Sequence, residues 1–140
     1  LQPNAEGSYD VVHHPNLGMQ QPSSQAYSGQ VYVLINGGSF STTSEFLSML
    51  HNNTDAVFIG EESGGGYYGN CSGIEPEMTL PETKVRVSIP LMHYSMNING
   101  YPFLDKGVVP NHLVQLSIND IIHNVDTDLE FTKKLINELH

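Results

Sequence analysis

The ten residues from Gly37 to Phe46, GGSFSTTSEF, place a hydroxyl-rich turn between the apolar run VYVLIN and an amphipathic segment. A serine hydroxyl is a poor nucleophile at neutral pH. It attacks a carbonyl only where a base accepts its proton and donors stabilise the oxyanion that forms. Ser41 sits where a helix is expected to start, and a helix start offers unpaired N–H groups and a partial positive charge. The same residue types are common N-caps, so Ser39, Ser41 or Thr42 could simply cap the helix, and the local pattern leaves Ser41 open between cap and nucleophile.

Other residues that could do chemistry are sparser. His13-His14 lie in a polar segment rich in Pro, Gln and Ser, where a histidine pair reads as solvated surface. The remaining histidines, including His51, His93, His112 and His123, are scattered without HExxH-like spacing, so no metal and no cofactor is expected. Cys71 is the chain's single cysteine, which excludes an internal disulfide and reads as a small buried or semi-exposed residue. The segment ESGGGYYGN lacks the Gly-Lys-Ser/Thr of a phosphate loop and the GxGxxG of a dinucleotide site. It reads either as an ordinary loop or as a flexible cleft wall made by Gly64, Gly65 and Gly66, with Tyr67 and Tyr68 for apolar contacts. Asn52 and Asn70 fit N-glycosylation acceptor patterns, which matter only in a host that glycosylates.

Behind these residues the elements follow from periodicity. Val31 to Ile35 is a buried-strand run ended by Asn36-Gly37-Gly38, and Phe46, Leu47 and Leu50 predict a helix from near Ser41 to about Asn52. Met78 and Leu80, then Val85, Val87 and Ile89, alternate about Pro81-Glu82-Thr83 as a hairpin with one buried face, and His93, Tyr94, Met96 and Ile98 are expected to continue that sheet. Ser117 caps a short helix, and Asp126-Thr127-Asp128 starts another with Leu129, Lys133 and Ile136 on its amphipathic face. Residues 1–30 read as a loop or linker, and 140 residues fit one domain or part of a larger one. No apolar run is long enough to span a bilayer, and fifteen acidic against five basic residues argue against nucleic-acid binding.

The string LINGGSFSTTSEF followed by AVFIGEESGGG, and then KVRVSIPLMHYSMNINGYPFLDKGVVPNHLV, resembles the core of the carboxy-terminal-processing (tail-specific) serine peptidases and their tricorn-like and retinoid-binding-protein-like relatives. The likeness spans roughly residues 30 to 138, and residues 31–140 are read as the C-terminal part of such a catalytic domain. It implies an α/β fold of strand–strand–helix repeats like the ClpP/crotonase-type core, with Ser41 as nucleophile and the Thr42 amide in the oxyanion hole. It also matches Gly60-Glu61 to the family's Gly-Glu pair and Gly107 to Asn111 to its Gly-Val-x-Pro-Asn/Asp segment.

One departure carries consequences. The branch that uses a serine–lysine pair draws its lysine from the loop after Gly-Glu, where this chain has Gly66; neither Lys84 nor Lys106 matches. The tricorn-like branch takes a histidine from upstream, and neither that histidine nor the family's Asp-Arg-x-x-Gly-Gly stretch is recognisable before Val31. The resemblance therefore implies an incomplete domain, inactive alone, whose base and part of whose oxyanion hole come from outside the chain. An open sheet edge would then associate with the missing part or with another copy. A peptide or protein substrate and an extracytoplasmic bacterial setting (periplasmic, cell-envelope or secreted) are implied by resemblance alone. A degenerate module that binds peptide or a small ligand without catalysis is the alternative, and a structural or assembly subunit a third reading.

Overall fold

A computed structural model describes residues 1–138. Its centre is a parallel sheet in the order β3-β4-β9, made by β3 (Tyr32–Ile35), β4 (Val57–Gly60) and β9 (His112–Leu113). Strands β3 and β4 run in register from Tyr32 opposite Val57 to Ile35 opposite Gly60. Parallel neighbours need a crossover, and α1 (Thr42–Asn53) supplies it. The apolar run expected as a buried strand is covered only in part: Ile35 is buried, Tyr32 and Val33 are half-buried, and Leu34 is exposed on this edge strand. Ile35 and Phe58 pack against Leu47 of α1 together with Tyr67, Ile98 and Val108. Ile59, pointing the other way along β4, is also fully buried, with α3 (Thr127–Glu138) over that face. The Phe131 ring of α3 lies 5.5 Å from that of His112.

Helix α1 matches its expected span to within a residue, but its inward face differs. Ser44, Leu47 and Ser48 are buried, whereas Phe46 is 62% exposed. Small hydroxyl residues at helical spacing let neighbouring backbone come close. The C-terminal end closes on Thr54, whose N–H and Oγ1 both donate to the Leu50 carbonyl.

Three two-stranded antiparallel pairs surround this centre. At the N-terminus β1 (Gln2–Pro3) pairs with β2 (Tyr9–Asp10) within an otherwise irregular, exposed segment. The expected hairpin forms as β6 (Glu77–Thr79) and β7 (Arg86–Ser88), but its apolar residues are not buried: Met78, Leu80, Val85 and Ile89 are all exposed, and only Val87 is half-buried. The segment after it does not extend that sheet. Strand β8 (Met92–Ser95) pairs instead with β5 (Gly69–Ser72), a strand that the glycine-rich sequence had not predicted. Helix α2 (Ile118–Ile122) starts with the expected cap at Ser117, completed as a capping box by Asp120. Hydrogen bonds from Ser117 hold the exposed Asp120 carboxyl below its usual range. On α3 the inward residues are Asp128, Phe131, Thr132, Leu135 and Ile136, while Leu129 and Lys133 face solvent, contrary to expectation. Among the described residues the outer edge of β3 pairs with no strand, and no helix is long and apolar enough to cross a membrane.

Candidate active site

Between β3 and α1 the chain turns on side-chain bonds. Asn36 Oδ1 accepts the Gly38 N–H at 2.8 Å, and the Asn36 carbonyl accepts the Ser39 N–H at 2.8 Å. Such an Asx turn is a local alternative to continued strand. Ser44, buried on the first turn of α1, donates from Oγ to the Ser39 carbonyl at 2.8 Å and ties turn to helix.

Ser41 occupies the N-cap position of α1 but does not act as a side-chain cap. Its hydroxyl makes no bond to a helix N–H, and the residue is exposed at φ 56°, ψ −131°. That conformation mirrors the extended region. It is open to glycine and strained for any residue with a Cβ, at a typical cost of roughly 1–3 kcal/mol. The Ser41 carbonyl still accepts the Glu45 N–H at 3.2 Å, so the helix starts normally. Thr42 is the first helical residue, exposed, with an N–H that has no intrahelical acceptor by position.

The glycine-rich loop lies directly on this turn. A Cβ at Gly64 would overlap the Gly37 carbonyl oxygen; one at Gly65 would overlap Ser44 Oγ and stand 3.2 Å from the Phe40 Cα. Gly60, ending β4 at φ +119°, meets the Ile35 carbonyl just as closely, which explains the glycine of Gly60-Glu61. Beside it, Asp128 is pushed above its usual range by burial, then by the charges of Asp126 and Glu61.

Residues Gly107 to Asn111 clamp the loop from behind. Ser63 N–H donates to the Val108 carbonyl at 3.0 Å, Val108 N–H to Ser63 Oγ at 2.8 Å, and Gly107 N–H to Glu62 Oε1 at 3.1 Å. Asn111 Oδ1 accepts the Phe58 N–H at 2.7 Å and so joins this segment to β4.

The two tyrosines of the loop have different roles. Tyr67 is only 2% exposed, its ring stacked on Tyr101 at 3.8 Å, so it is a core side chain and not the apolar cleft contact expected of it. Tyr68 is half-buried and donates to the Tyr101 carbonyl at 2.6 Å. Gly64 and Gly66 are exposed and Gly65 is half-buried. Beyond Gly66 a pocket of about 410 Å³ opens between the loop and β8, walled by Tyr68, His93, Ser95, Met96 and Leu104.

His51, on the same helix as Ser41, is out of reach. Ten residues at about 1.5 Å each put it some 15 Å along the axis. Its Nδ1 shares a 2.9 Å hydrogen bond with the Tyr67 hydroxyl, and burial holds its pKa below the usual histidine value. Lys106 lies 3.9 Å from Glu62 and over the Phe103 ring, and Lys84 belongs to the turn of the β6–β7 hairpin. His13 and His14 fall in the exposed N-terminal segment, and Cys71 is exposed on β5.

One contact had no signal in the sequence. Asn70 Nδ2 donates to Glu45 Oε1 at 2.5 Å, joining the first turn of α1 to β5 across 25 residues, and so engages one of the two glycosylation-pattern asparagines. No periodicity or motif marks such a pair.

Residues 4–114 match the model of a protein family described as Peptidase family S41, a span running from the N-terminal segment to the end of the central sheet. No curated protein matches the chain.

Proposed function

The chain belongs to peptidase family S41, and we propose from this that it forms the nucleophile-bearing part of a serine-type peptide hydrolase. In this reading Ser41 Oγ attacks the peptide carbonyl, the Thr42 N–H donates to the oxyanion, and the leaving amine departs as an acyl-enzyme forms, to be released by water. The observation that carries it is the conformation of Ser41: exposed, strained, and with a hydroxyl that caps nothing. Strain of this kind persists only where surrounding structure over-determines it, and it clusters at sites of chemistry. The base and the second oxyanion donor come from outside these residues. A histidine of the tricorn-like kind fits best, because Gly66 stands where the lysine-using members carry their base. We further place the protein in an extracytoplasmic bacterial setting, on resemblance alone. Its unpaired β3 edge is where the rest of a strand–strand–helix repeat, or a second copy, joins.

The test is acylation by a fluorophosphonate probe. The chain alone is expected to remain unlabelled, since losing one oxyanion donor already costs about 3 kcal/mol of barrier and the base is missing too. A polypeptide that also carries the upstream region is expected to label, and Ser41→Ala to abolish the label. Labelling that survives Ser41→Ala would refute the assignment. Gly66 also favours a second reading, a peptide binder that has lost its chemistry. That reading predicts peptide binding with no labelling in any longer form.

A further inference from the structure

The β6–β7 hairpin carries an apolar face that stands outside the core cluster. Its ladder runs beyond the two strands. The Leu80 N–H donates to the Val85 carbonyl at 2.9 Å, the Ile89 N–H to the Pro76 carbonyl at 3.2 Å, and the Leu91 N–H to the Ile74 carbonyl at 3.0 Å. With Met78 opposite Val87, these make four successive rungs whose eight side chains share one face, because residues two apart on a strand point the same way. None of the eight is charged; Glu77, Thr79, Arg86 and Ser88 fall on the opposite face. Six of the eight stand 37–66% exposed.

A two-stranded ribbon is marginal in water unless a third strand or a second layer supports it, and among the described residues this hairpin has no third strand. We propose that the layer is a second copy of this chain, the two hairpins stacking face to face about a two-fold axis as a four-stranded, two-layer sandwich. The area suffices. At roughly 100 Å² of apolar surface for each such side chain when fully exposed, the six present about 300 Å² per copy. Specific interfaces are about 60% apolar, so this corresponds to about 1,000 Å² in all, where specific contacts begin. Charge favours the same partner. The whole chain carries −10, whereas residues 74–91 hold three acidic residues and two basic ones, three minus two leaving −1, so two copies repel least here. The charges are also sorted along the ribbon: Glu75 and Glu77 lie toward its open end, and Lys84 and Arg86, with Glu82, toward the turn. An antiparallel stack sets the turn end of one ribbon over the open end of the other across a layer spacing of about 10 Å, roughly one Debye length.

Sedimentation velocity of the chain over about 1–200 µM is expected to show a transition from 15.4 kDa to twice that mass, with the micromolar Kd of an interface at the small end of the specific range. Ile89→Lys sets a charge on the apolar face at an exposed position and is expected to raise that Kd at least tenfold with an unchanged far-UV circular dichroism spectrum. Leu91→Lys, 63% exposed on the outermost rung, is a second variant expected to act the same way should the first disturb the fold. Thr79→Lys adds the same charge on the opposite face and is expected to leave the Kd within twofold. A chain monomeric throughout that range would overturn the proposal. So would a dimer that Ile89→Lys and Leu91→Lys leave as tight as Thr79→Lys does, a result that moves self-association to another surface such as the β3 edge. A longer polypeptide that carries the upstream region, stays monomeric and yet protects Met78 from peroxide oxidation would also overturn it, giving the face to that region.

Discussion

Replacing Ser41 by glycine should stabilise this protein, an unusual expectation for a residue at a helix N-cap. At φ 56°, ψ −131° the serine Cβ is strained by roughly 1–3 kcal/mol, and glycine removes that cost. Against it stands the extra freedom of glycine in the unfolded chain, about 0.5–1 kcal/mol. Nothing else is lost, because the hydroxyl makes no cap bond. The net expectation is a gain of about 1 kcal/mol, or roughly 3–5 °C in Tm for a chain of this size. Ser41→Ala keeps the Cβ and loses only an unbonded hydroxyl, so it should change stability little. Were Ser41 an ordinary cap, alanine would instead cost about 0.5–2 kcal/mol and glycine a few tenths. Urea unfolding of the three chains, followed by far-UV circular dichroism, separates the cases, provided the denaturant slope is shared. A loss near 1 kcal/mol in Ser41→Ala, or any destabilisation in Ser41→Gly, would refute the strained-turn argument.

Other perturbations have definite signs. Gly64→Ala drives a methyl into the Gly37 carbonyl, backbone against backbone, and is expected to cost about 1–3 kcal/mol and to speed amide exchange across residues 37–40. Asn111→Ala deprives the buried Phe58 N–H of its acceptor and should cost about 1–3 kcal/mol in urea unfolding, with Asn111→Asp retaining most of the stability. His51 has its folded-state pKa lowered by burial, so below about pH 6.5 the unfolded chain binds the proton first. Its stabilisation is therefore present above that pH and lost as pH falls through the folded value; a pH series of unfolding curves should show this slope, and His51→Gln should flatten it.

What the sequence revealed divides along a physical line. The crossover of β3, α1 and β4 was legible because buried strands and helices leave strong periodic signals in Val31–Ile35 and in Leu47 and Leu50. The cap at Ser117 was legible because it is a contact within four residues. Alternation in Met78–Ile89 gave the hairpin correctly and its burial wrongly. Period two reports which side chains share a face and says nothing of what covers that face. Strand β5 escaped because Gly69-Asn70-Cys71-Ser72 has almost no apolar side chain to alternate; it is held by pairing with β8 and by the Glu45–Asn70 bond.

The strand–turn–helix junction that carries Ser41 was legible in the sequence, but what holds the turn in shape was not. A hydroxyl-rich turn before a helix is ambiguous, since capping and catalysis ask for the same residue types at the same place. The two differ in backbone angle, and that angle is set by contacts distant in sequence. Asn36 and Ser44 fix the turn from within, while Gly64 and Gly65, in the loop that follows β4, press backbone against it. A simple cap would need none of these, because its own hydroxyl would hold the helix start. Here the hydroxyl is left unbonded and outward while four other residues hold the turn in shape. The glycines of the loop therefore have a role beyond flexibility: lacking side chains, they let the loop lie close enough to keep Ser41 in a conformation it would otherwise leave.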